Sequence, residues 1–176
     1  MACELTSGRL LDCKTSVGGI RTVLFMQVDD YIPTYASEVL TSITAATAYR
    51  YELQKATGSL SESISVSQEN GTVFFENTLT IKLFKLTAAM RDELKLIVQN
   101  RLAVFVLDNN NSQWVVGEVN GAEITGGTSE TGTALGDLNG YTLTITTQER
   151  EPMRSAATYT STPFDNVTGL TVSPAY

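Results

Sequence analysis

Apolar and polar residues alternate with a period of two over much of this chain. Residues 20–28, 49–54, 60–67, 72–84, 102–108, 113–119 and 141–149 are rich in Val, Ile, Thr and aromatic side chains, and each predicts a strand. Asn70-Gly71 is a strong hairpin signal, because both centres of a tight type I′ turn need positive φ. Centring the turn there opposes Ser67 to Phe74, Ser65 to Glu76, Ser63 to Thr78 and Ser61 to Thr80. The other face then pairs Val66 with Phe75, Ile64 with Asn77, Glu62 with Leu79 and Leu60 with Ile81. One face is almost wholly small and polar, free of aromatics until Phe74 and Phe84, and the other mostly apolar, so both strands agree about which side is wet. At residues 60–84 the hairpin is longer than usual.

The pattern changes to a helical one only once. Met90, Leu94, Ile97 and Val98 share a face at i, i+4, i+7 and i+8, Thr87 is placed to cap, and Asn100 to stop, which predicts a helix over 87–99. A second hairpin follows, joined through Asn109-Asn110-Asn111-Ser112. Residues 121–140 are Gly- and Thr-rich and read as a flexible loop. Residues 29–48 read as a long loop, and 151–176, with little period, as an extended arm. The expected fold is mainly β: two packed antiparallel sheets, a sandwich or open barrel, with one flanking helix. Residues 1–150 form a single domain in this reading.

Composition narrows the chemistry. The chain has 176 residues, 12 Lys+Arg against 19 Asp+Glu, a formal net charge of −7 and no histidine. Without imidazole there is no Ser-His-Asp or Cys-His system and no His-ligated metal. An acidic surface disfavours a sequence-independent DNA binder, which needs clustered cations. The Gly-rich stretch has neither a P-loop ending nor a G-x-G-x-x-G pattern, and the carboxylates Asp108, Glu118, Glu123 and Asp137 lack calcium-loop spacing. No enzyme activity, cofactor or metal is expected. Cys3 and Cys13 read as reduced thiols. The N-terminus has no basic and apolar leader, no run is long enough for a transmembrane helix, and folding in a cytoplasm is expected. Trp114, alternating with Val116, reads as core.

Three stretches carry a resemblance: the sequence from Met1-Ala2-Cys3-Glu4-Leu5 through Cys13-Lys14 to Gly18-Gly19-Ile20; the hairpin Glu69-Asn70-Gly71-Thr72-Val73-Phe74-Phe75-Glu76 running into the helix; and Gly132-Thr133-Ala134-Leu135-Gly136-Asp137-Leu138-Asn139-Gly140-Tyr141. Across roughly residues 1–150 they resemble small virion structural proteins of tailed phages that infect Bacteroidota, including crAss-like phages. The order of elements is similar to the phage tail-tube and head–tail ring fold. That resemblance implies a homo-oligomeric ring, six-fold or a multiple, whose hairpins join into a β-barrel around a channel for the genome. It also implies stacking through loops and terminal arms against other virion proteins, with DNA passing unbound, no membrane, and a place in the tail or head–tail junction of a virion assembled in the host cytoplasm. The hydrophilic face of Ser61, Ser63, Ser65, Glu76, Thr78, Thr80 and Lys82 is then a candidate lumen lining or plain solvent face. Pro152, Tyr159, Phe164 and Tyr176 are candidate contacts of an inter-subunit arm. The alternatives are a capsid decoration protein, or a carbohydrate-binding sandwich of a tail tip using Tyr31, Tyr35, Tyr49 and Tyr51.

Overall fold

A computed structural model describes residues 8–9 and 13–176. The pairing of Cys3 and most of the first resembling stretch lie outside the described residues. Eleven strands and one α-helix follow in order: β1 Ile20–Gln27, β2 Pro33–Ala36, β3 Val39–Glu52, β4 Gly58–Ser67, β5 Thr72–Phe84, α1 Ala88–Gln99, β6 Leu102–Asp108, β7 Gln113–Val116, β8 Glu123–Glu130, β9 Gly140–Glu149, β10 Arg154–Ala156 and β11 Thr168–Ser173. They form a seven-stranded sheet and a four-stranded sheet, a mainly β, sandwich-like arrangement.

The fold turns on β1 and β6. Leu102 to Leu107 is an unbroken apolar run, buried throughout, and such runs belong to strands covered on both faces. Alternate residues feed two cores. Val23, Phe25, Val104 and Val106 face the four-stranded sheet, meeting Leu79, Ile81, Leu143 and Ile145. Leu24, Met26, Ala103, Phe105 and Leu107 point the other way, to Leu40, Ile43, Val115 and Phe164. The pairings β1–β6–β7–β10–β3 return from β3 to β1 in a closed circuit, so the larger sheet curls around this second core.

Several strand expectations agree with the structure: residues 72–84 and 102–108 match β5 and β6. Thr87 caps α1, its hydroxyl oxygen accepting from the Met90 amide at 3.2 Å. Of the expected helix face, Ile97 is buried and Met90 and Leu94 pack on the first core, but Val98 stays 54% exposed.

Four expectations need correction. The loop expected over 29–48 is mostly the hairpin β2–β3, whose tight turn is Ser37-Glu38, both with positive φ. Ser and Glu are unusual at such positions, so the sequence carries no turn signal there. The Asn70-Gly71 turn is not the two-residue type. Four residues separate Ser67 from Thr72, only Gly71 has positive φ among them, and Ser67 faces Thr72. The register is therefore two residues from the expected one, and an even shift leaves every side chain on its expected face. The Gly-rich residues 123–130 form β8 rather than a loop.

The fourth correction concerns residues 151–176, which are built into the larger sheet rather than extended as an arm. β10 and β11 run parallel to β3, so that sheet is not wholly antiparallel. The buried Gln113 side chain holds the segment at two points, donating to the Ala157 carbonyl at 2.8 Å and accepting from the Phe164 amide at 2.6 Å. Phe164 is buried edge-on to Phe105, centroids 5.6 Å apart. Tyr159 donates to Asn111, and the Arg50 guanidinium lies 4.4 Å over the Tyr176 ring.

If the C-terminal segment belongs to the core, Phe164→Ala should cost about 3–5 kcal/mol in urea unfolding. A free arm would give a change near zero. The adjoining turn is held by Asp165, whose carboxylate accepts from the Ser161, Thr160 and Thr162 amides. These amides, Ser161 foremost, hold its carboxyl well below the usual carboxylate range. A depressed folded value gives stability that is present above the ordinary 3.8 and lost as pH falls through the folded value. The stability difference between wild type and Asp165→Asn should therefore be present at neutral pH and shrink in acid, as read by urea midpoints across pH.

Candidate functional site

The four-stranded sheet has the order β4-β5-β9-β8, antiparallel throughout. Its inner face carries Leu79, Ile81, Leu143 and Ile145 into the first core. The residues between them form the outer face, and register fixes its rows. Ser61 lies opposite Thr78, Thr78 opposite Thr146, and Thr146 opposite Glu123. The neighbouring rows are Ser63–Glu76–Gln148 on one side and Ser59–Thr80–Thr144–Gly126 on the other, with Lys82–Thr142–Thr128 beyond.

Ser61, Ser63, Ser65, Glu76, Thr78, Thr80 and Lys82 thus share one face. The first two and Lys82 are exposed, the other four half-buried among their neighbours. Ser63 Oγ donates to the Glu76 carbonyl at 3.4 Å, and Gln148 Nε2 to the Glu76 carboxylate at 3.2 Å. Thr128, Thr142, Thr144 and Thr146 extend the face by two strands. Sequence reasoning missed them as members, although the alternation in 141–146 was plain, because nothing local says that β9 pairs with β5. The other candidate group, Pro152, Tyr159, Phe164 and Tyr176, is not brought together as a free arm: Phe164 is core and Tyr159 and Tyr176 lean on the chain's own surface.

The surface is hydroxyl-rich between Phe74 at one end and Phe84 at the other, with the acids Glu76, Glu123 and Glu130 and the single cation Lys82. Such a layer hydrogen-bonds water and gives a phosphate backbone little to hold. Among the described residues no three Asp, Glu or Cys side chains converge as a metal-binding group, and no helix is long and apolar enough to cross a membrane.

The four tyrosines fall into two separate pairs, Tyr31 with Tyr35, and Tyr49 with Tyr51, which line an open pocket of about 240 Å³ beside Glu93 and Leu96 of α1. Tyr31 is buried, with its hydroxyl 3.0 Å from that of Tyr35 and donating to Glu118 at 3.3 Å. Tyr51 is half-buried against Phe25, and Tyr49 is exposed. Glu118 also accepts from Arg154, which pairs with Glu38 and stacks over Tyr35. Burial raises the Glu118 carboxyl above its ordinary range, against the pull of Arg154, and burial likewise raises Tyr31. This network ties the β2–β3 hairpin to β10. Trp114 is half-buried against the first core, its Nε1 3.5 Å from Asp108.

In comparisons with known proteins, no family model, no curated protein and no solved structure matches the chain.

Because the outer face contributes little to folding, Ser61→Ala with Ser63→Ala should leave stability within about 0.5 kcal/mol of wild type. On the opposite face of the same sheet, Leu79→Ala should cost about 2–5 kcal/mol. Urea unfolding of the two variants checks both; a large loss from the serine pair would mean the face is structural.

Proposed function

We propose that this chain is a self-assembling structural subunit that forms a ring or tube around a hydrophilic channel, as in the tail tube or head–tail ring of a tailed-phage virion. The observation that carries the reading is the four-stranded sheet: one face buried, the other a hydroxyl layer, and both edges open. Among the described residues no strand pairs with the outer side of β4 or β8.

Monomers usually guard such edges with Lys, Pro or a cover. β4 and β8 contain neither Lys nor Pro, and β8 is exposed along nearly its whole length; the inward-facing Glu62 of β4 and the irregularity between Ile124 and Gly126 in β8 are the guards these strands carry. With four antiparallel strands, β4 and β8 run in opposite directions. A rotation about a ring axis to which the strands are tilted therefore sets the next copy's β4 beside β8 and continues the antiparallel pattern. Head-to-tail contacts of this kind close into rings. The outer face would line the lumen, where the hydroxyls keep a wet wall and the acids repel phosphate. No reaction is assigned to the chain, and its place in a virion rests on the sequence resemblance.

Negative-stain electron microscopy of the purified protein over a concentration series tests this. Hollow rings or stacked tubes are expected. A particle that stays monomeric at every concentration contradicts the reading and favours a role on a capsid surface.

A further inference from the structure

The long hairpin outruns its own sheet. β9 ends at Glu149, opposite Phe75, so the ribbon beyond that pair has only two strands. On the inner side, Ile64 in that last three-stranded row and Val66 and Val73 in the ribbon beyond it are 65%, 63% and 51% exposed. Aliphatic side chains in a row on the core side of a sheet, yet in water, lack a partner among the described residues.

At the opposite edge of the sheet is an open groove of about 430 Å³ between α1 and β8. Leu94 and Val98 form its helix side, and Ile124, Gly126 and Gly127 its strand side, with Leu143 at the base. Gly127, on the inner side of β8 where it passes α1, has no side chain to fill the groove, and Val98 on the apolar helix face is left uncovered. Its one charged lining residue is Arg91, while residues 58–81 carry Glu62, Glu69 and Glu76 and no Lys or Arg.

We propose that the hairpin tip of one copy seats in the α1–β8 groove of the next, with Ile64 beside Gly127 and Val66 beside Ile124. This rests on the reading of the chain as a self-assembling subunit and specifies which surfaces meet. The register follows from strand pairing. Within one chain Ser61 lies level with Glu123 through Thr78 and Thr146, so copies docked level would oppose only the start of β4 to β8. Closing a barrel requires a stagger. Sliding the neighbour until Ser67 faces Glu123 covers the whole of β8, and the shift from Ser61 to Ser67 is even, so faces stay matched. Allowing for the irregularity between Ile124 and Gly126, Val66 then meets Ile124, Ser65 meets Gly126 and Ile64 meets Gly127. The apolar residues fall on the groove side and the serines on the hydroxyl side.

The contact is heterologous, which makes it testable by mixing. A tip variant, Ile64→Asp with Val66→Asp, and a groove variant, Val98→Asp, alter exposed positions and should keep the wild-type circular dichroism. In sedimentation velocity each alone should stay monomeric at concentrations where wild type assembles. An equimolar mixture should give a dimer and stop there, because only one intact tip and one intact groove are present per pair. The milder Ile64→Ala with Val66→Ala should raise the concentration needed for assembly by about tenfold or more. Variants that assemble like wild type, or a mixture that forms no dimer, would overturn the tip-in-groove contact while leaving ring formation standing. A wild type that never assembles would remove both.

Discussion

Everything in this molecule hangs on two strands that are buried on both sides. β1 and β6 pair along their length, and their alternate residues supply the first core with Val23, Phe25, Val104 and Val106 and the second with Leu24, Met26, Ala103 and Phe105. Leu102 to Leu107 has no polar side chain, and β1 has only Thr22 among its buried positions. The curled sheet and the four-stranded sheet are both packed against this wall. A one-residue slip between β1 and β6 would exchange the two cores' side chains, which is why the wall specifies the register of what packs on it.

The four-stranded sheet is bound to the wall through only one face, and this asymmetry gives the chain its interest. Its outer face is free for hydroxyls because no core needs it. Its edges are free because no strand among the described residues pairs with the outer side of β4 or β8. The same sheet thus offers a wet surface, two open edges, an apolar tip at one edge and an apolar groove at the other. Those features are liabilities for an isolated molecule and complementary parts for a head-to-tail assembly.

Much of this is legible in the chain because local pattern and tertiary role coincide. The run at 102–107, the alternation in 141–146 and the Thr87 cap each state their structure directly. The hydroxyl face is legible too, since the two-residue error in the hairpin register preserved the faces. What was hidden has identifiable causes. Ser37-Glu38 adopts a turn usually made by Asn and Gly. β3 is built from small residues such as Ala45, Ala46 and Ala48 that give little periodic contrast. β8 is a strand whose glycines suggest a loop, held by its ladder with β9. The C-terminal strands run parallel to β3, a long-range pairing with no local signature, and their anchor is one buried glutamine, Gln113.

The central claim is that the two edges of the four-stranded sheet are completed by other copies of the chain. Hydrogen exchange of backbone amides, compared between dilute and concentrated protein, addresses it most directly. The account predicts that amides in β4 and β8 become protected as concentration rises, while those of β1 and β6 are slow throughout. Exchange in β4 and β8 that stays fast at all concentrations, or new protection confined to the larger sheet, would contradict it.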